Sequence, residues 1–89
     1  MSNKNSEEQD WLIEWFDLQT VVNNDTLRNN TDVDYLREGW IDSMQFIGLI
    51  SSIENEFDIE FSNDEFQNRS FATISGLAQM IADKSNTDS

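Results

Sequence analysis

Apolar residues in this chain recur at helical spacing in three long stretches and one short one. Trp11, Leu12, Trp15, Leu18 and Val22 form the first series, which predicts a helix along one apolar stripe. It opens at Ser6-Glu7-Glu8-Gln9, a capping-box pattern, and the run Asn23-Asn24-Asp25 is expected to end it. In the second series Phe46, Leu49, Ile50, Ile53 and Phe57 share one arc of a helical wheel, with Ile47 at its edge. Gln45, Gly48, Ser52, Asn55 and Glu56 fall on the opposite arc. Asp42-Ser43 opens this helix, with Asp42 as N-cap and Gln45 completing a second capping box. A third box, Ser62-Asn63-Asp64-Glu65, predicts a short helix to about Asn68. Thr73 caps the last helix, whose Ile74, Leu77, Ala78 and Ile81 follow i, i+3, i+4, i+7.

Between the first two helices, residues 23–41 form a long connection anchored by Leu27, Val33, Tyr35, Leu36 and Ile41. A connection of that length packs through its apolar residues or carries function. Asp58-Ile59-Glu60-Phe61 alternates like a strand, but with nothing to pair it reads as an extended linker. The chain has no proline and three glycines, so little interrupts its helices. The pattern predicts one all-α domain over residues 6–84, with frayed polar ends at 1–5 and 85–89.

Composition narrows the function. Among 89 residues, 18 are acidic and five basic, a formal net charge of −13. Six Phe and three Trp still supply a core, unlike the composition of a disordered acidic chain. The charge argues against nucleic acid as a partner and favours proteins with basic docking surfaces. Neither Cys nor His occurs, which removes disulfides, thiolate nucleophiles and the commonest base and metal ligand. No metal site is expected, and no apolar run is long enough for membrane insertion.

The chemistry-bearing candidate is Ser43. Alone, an Asp-Ser pair is what many helix starts look like. Here it stands in Glu38-Gly39-Trp40-Ile41-Asp42-Ser43-Met44, and the amphipathic helix that follows ends Ile53-Glu54-Asn55-Glu56-Phe57-Asp58-Ile59-Glu60-Phe61. Over roughly residues 7–84 this order of elements resembles the acyl carrier protein family. The resemblance implies a right-handed up-down bundle of four helices, three long and one short. It further implies that Ser43 receives 4'-phosphopantetheine from coenzyme A and that the arm holds substrates as thioesters. A phosphopantetheinyl transferase, an acyl- or aminoacyl-loading ligase and a downstream synthase or transferase are then the expected partners of a cytoplasmic monomer. The chain itself is expected to be a shuttle with no catalytic residue, since Ser43 has no evident base.

A serine at a loop–helix junction presents its hydroxyl to a modifying enzyme. A phosphodiester there lies by the free amides and the positive end of the helix dipole. Asp42 serves as cap and, by the resemblance, as part of the surface the transferase reads. Met44 falls on the polar arc beside the serine, like the family's usual leucine, and is expected to touch partners. Gly48, between Met44 and Ser52, makes a low surface where a partner is expected to pack closely. Asp42, Glu54, Glu56, Asp58, Glu60, Asp64 and Glu65, with no base among them, read either as a solvated surface or as a docking field for basic enzymes. The resemblance favours docking, with Glu56 among the partner-reading residues. Glu54, against the apolar arc, is expected to reach solvent or a loop amide. Trp11, Trp15, Phe46, Phe57, Phe66 and Phe71 are expected in the core, where family members also accept acyl chains.

Rival classes fit less well. Read as a calcium loop from Asn30, position six is Tyr35 rather than glycine and position twelve is Ile41 rather than glutamate. An acidic binding module or inhibitor would not need Ser43, so one labelling reaction separates it from a carrier. Fatty-acid carriers commonly place acids soon after the serine, whereas this chain has Gln45, Gly48, Ser51 and Ser52. The Glu38–Ser43 lead-in looks more like freestanding carriers of specialised pathways, aminoacyl and D-alanyl carriers included.

Overall fold

Caps and apolar arcs become helices in the computed structural model, which describes residues 6–86. The elements are α1 (Ser6–Gln19), α2 (Asn24–Asn29), α3 (Ser43–Phe57), α4 (Asn63–Phe66), a 3-10 turn (Arg69–Ala72) and α5 (Ile74–Asn86). There is no strand among the described residues; Asp58 turns in the left-handed conformation rather than continuing an extended linker, and residues 59–61 carry no regular structure and no strand pairing. The side chain of Ser6, and with it the first capping box, lies outside the described residues, as do residues 1–5 and 87–89. Helix α5 continues through Asn86.

Helix α1 departs from its expected stripe. It buries Leu12, Ile13 and Phe16, whereas Leu18 is 80% exposed and Trp11 and Trp15 are half-buried. It also stops at Gln19 rather than running to Val22. The reason is local: the Thr20 hydroxyl donates to the Phe16 carbonyl (2.6 Å) and accepts from the Val22 amide (3.1 Å). That side chain offers the backbone an alternative to another helical turn. Asn23, read as a terminator, starts something instead: its Oδ1 accepts from the Thr26 amide (2.8 Å) and caps α2.

The long connection is therefore partly helical and firmly docked. Leu27, Tyr35 and Ile41 are buried as anticipated, Val33 is half-buried, and Leu36 is exposed at the surface. Tyr35 ties the loop down. Its amide donates to the Ala72 carbonyl (3.0 Å), its hydroxyl to the Phe71 carbonyl, and its ring lies 5.0 Å from that of Phe16. Burial, aided by the nearby Asp34 carboxylate, pushes the Tyr35 phenol well above its ordinary pKa. Further along, the Ser75 amide donates to the Thr31 carbonyl (2.9 Å) and its hydroxyl to Asp32 (2.7 Å). Gly39, at φ +77°, supplies the left-handed turn that leads the chain into Asp42.

Helix α3 has the bounds its caps announce. Leu49, Ile50 and Ile53 are buried, Phe46 and Phe57 pack half-buried against the core, and Ile47 is 62% exposed. Asp58 ends it in the left-handed conformation (φ 55°), which aspartate tolerates better than most residues. The Ser62–Glu65 box forms as read and opens α4. Glu65 also pairs with Lys84 of α5 at 3.0 Å. The Ser62 amide first, and Lys84 after it, hold the Glu65 carboxyl below the usual carboxylate range. Thr73 caps α5 through the Gly76 amide (3.0 Å), and Ile74, Leu77, Ala78 and Ile81 are fully buried. Phe71 is buried, but Phe66, expected in the core, is 40% exposed. It lies over Phe71 with ring centroids 5.2 Å apart and meets Phe61 at 6.3 Å, at the margin of the core rather than within it.

Candidate functional site

Ser43 is the first residue of α3, and both it and Asp42 are exposed. The junction is held by a reciprocal pair of bonds. Asp42 Oδ1 accepts from the Gln45 amide at 2.8 Å, and Gln45 Oε1 accepts from the Asp42 amide at 3.1 Å. The Phe46 amide takes the Asp42 carbonyl (2.9 Å) as the first helical bond. Of the first amides of α3, those of Ser43 and Met44 thus have no partner within the helix. An exposed primary hydroxyl beside two such N–H groups suits a phosphodiester, and the dipole end adds to the fit. The residues present therefore fit a phosphopantetheine arm on Ser43.

The other sequence-selected residues divide by position. Met44 is 79% exposed and flanks Ser43 directly. Gly48 lies one turn further on the same outer face, and a β-carbon built there meets nothing within 4 Å. Nothing inside this molecule demands a glycine at that position. Glu56 is exposed but sits 13 residues beyond Ser43, about 20 Å along the axis at the usual helical rise. The fold does not bring it to the attachment end. Glu54 is half-buried, and its Oε2 accepts from the Phe61 amide at 3.0 Å, so it holds the extended linker against α3.

Two features at this site were not read from the sequence. Helices α1 and α3 run antiparallel, because Gln45 Nε2 donates to the Gln19 carbonyl (3.5 Å) while the Trp11 and Phe57 rings meet at 5.5 Å. The C-terminal end of α1, with exposed Leu18, therefore stands beside the first turn of α3, and exposed Val21 follows in the turn just past it. A groove of about 320 Å³ also opens between α3 and the linker, lined by Phe46, Ile47, Ile50, Ser51, Glu54, Phe61 and Phe66. The edge position of Ile47 and the polar interruption at Glu54 were its only signals in sequence. Among the described residues no cluster of acids is placed to hold a metal ion, and no helix is long and apolar enough to cross a membrane.

No solved structure matches the chain. The family model for the phosphopantetheine attachment site, the segment that carries covalent 4'-phosphopantetheine, matches residues 17–81. That span contains the whole capped junction, α3 and the docked connection, and it covers well over half of the chain. With its all-helical fold and a serine presented at a loop–helix junction, this protein belongs to the acyl carrier protein family.

Proposed function

We propose that the Ser43 hydroxyl carries the 4'-phosphopantetheine arm and that the protein shuttles acyl or aminoacyl groups as thioesters between partner enzymes. The observation that carries this reading is the placement of Ser43: exposed, first in α3, and held there by the Asp42–Gln45 capping box. When bound, the arm supplies the thiol on which cargo is held. The chain's own contribution is positional. Asp42 fixes the start of the helix, the Ser43 and Met44 amides face the phosphodiester, and the rigid α3 presents the arm to solvent.

In this reading Asp42, Met44, Gly48 and, at a distance, Glu56 form the surface partners read. The helices take the up-down arrangement of a carrier bundle, and the protein acts as a cytoplasmic monomer without chemistry of its own. Fatty-acid, polyketide, non-ribosomal peptide or cell-envelope biosynthesis would use such a carrier. The lead-in from Glu38 to Ser43 favours a specialised freestanding role. Incubation of the apo protein with coenzyme A and a broad-specificity phosphopantetheinyl transferase tests the assignment. Intact mass should rise by one arm, and Ser43→Ala should gain none. An arm that persists in Ser43→Ala refutes the site, and no gain on the parent protein refutes the carrier role. Intact mass of protein purified from its own host then reads the cargo.

A further inference from the structure

Helix α1 carries five acids, Glu7, Glu8, Asp10, Glu14 and Asp17, and no base. Arg28 of α2 engages one of them, Asp10, at 3.0 Å. Along the edge of α1 where half-buried Trp11 and Trp15 pack against the core and Glu14 and Leu18 are exposed, these four side chains line a groove of about 150 Å³. They stand at i, i+3, i+4 and i+7, so they form a single helical face. A volume near 150 Å³ accommodates a group the size of benzene, which is one side chain and not a helix. The walls are aromatic and aliphatic, and the one charged group is a carboxylate. That lining matches a long cationic side chain, whose stem packs on apolar walls while its head meets aromatic rings and Glu14. The C-terminal end of the helix dipole, near Leu18, favours the same sign of charge.

We propose that this groove receives a lysine or arginine side chain of the phosphopantetheinyl transferase that modifies Ser43, an inference that rests on the reading of Ser43 as the attachment site. The groove starts at Leu18, one residue from the Gln19 carbonyl that Gln45 contacts in the first turn of α3. It ends at Trp11, about 10 Å away along α1. A standard interface covers about 800 Å² on each partner, so an enzyme seated over Ser43 spans both. Leu18 (80% exposed), Met44 (79%) and Val21, fully exposed, supply the apolar rim of that footprint. A second copy of this chain is the poorer occupant, because a net charge of −13 on each copy opposes their approach.

The test follows arm transfer from coenzyme A by a broad-specificity transferase, with KM for the carrier and kcat measured separately. Glu14→Gln and Leu18→Ser lie on the exposed surface, and helical circular dichroism verifies that they fold. Each should raise KM about fivefold at low salt with kcat unchanged, since uniform binding alone is lost. The Glu14→Gln effect should shrink in high salt. Asp83→Asn, which removes one charge from α5, controls for net charge and should leave KM within twofold. A KM for Glu14→Gln equal to that of Asp83→Asn overturns the proposal, as does a fall in kcat with KM unchanged. Failure of the parent protein to take the arm sinks the Ser43 reading itself, and this inference with it.

Discussion

Asp42 has a structural and a recognition role that substitution separates. Its carboxylate accepts from the exposed Gln45 amide at 2.8 Å, so Asp42→Ala strips one N-terminal amide of α3 of its acceptor. Water replaces part of that bond at an exposed site, which places the loss at about 1 kcal/mol within the range for capping residues. In a domain of 89 residues, about 1 kcal/mol lowers Tm by roughly 4–8 °C. Asn caps about as well as Asp, so Asp42→Asn should melt within roughly 2 °C of the parent while losing the charge. Thermal unfolding followed by circular dichroism measures both variants, and arm transfer is then assayed below either transition. Equal melting of Asp42→Ala and the parent would refute the capping argument. If Asp42→Asn accepts the arm as fast as the parent, the charge plays no part in recognition and Asp42 acts through α3 alone.

Two glycines should respond oppositely to alanine. Gly48→Ala should stabilise by about 0.5–1 kcal/mol, since the new methyl meets open space on a helix. Gly76→Ala should destabilise by about 1–3 kcal/mol, because its methyl would lie 2.5 Å from the Ser70 carbonyl oxygen and 2.8 Å from Thr73 Oγ1. Urea unfolding ranks the two, and equal signs would show the α5 start to be plastic. Tyr35→Phe should lose about 1–3 kcal/mol in the same assay, because the Phe71 carbonyl is left without its buried donor. Glu65→Gln keeps the capping geometry but loses the charge facing Lys84, for a loss of a few tenths to about 1 kcal/mol at neutral pH. The Glu65 carboxyl is depressed in the folded state, so its contribution is full above the ordinary carboxylate pKa of 4.5 and vanishes as pH falls through the folded value. The two melting curves should therefore converge in acid, and a constant gap would contradict the assignment. Added salt should raise Tm at neutral pH, since it screens self-repulsion beyond about 10 Å at 0.1 M.

What was legible in advance is local in origin. A capping box is decided by bonds between residues three apart, so Asp42 with Gln45 and Ser62 with Glu65 announced α3 and α4 without reference to the rest of the chain. The same holds for Thr73 and the clean apolar arc of α5. The cap placed Ser43 first in α3 and exposed, but its selection as the attachment residue came from the resemblance of the surrounding stretch to acyl carrier proteins. Helix α1 lacked such definition: six of residues 11–18 are apolar, and they surround the helix rather than marking one face. Periodicity then leaves its rotation open, and packing against α2 and α5 chose Leu12, Ile13 and Phe16 for burial over Leu18. Tertiary contact likewise decided that residues 24–29 are a helix, since six residues cannot hold one alone and need the buried Leu27. The apolar walls of the α1 groove were part of the stripe read from spacing, but its nearness to Ser43 was beyond local reading. The nearness shows where Gln45 meets Gln19 across 26 positions of chain, a closeness that only the packed fold creates.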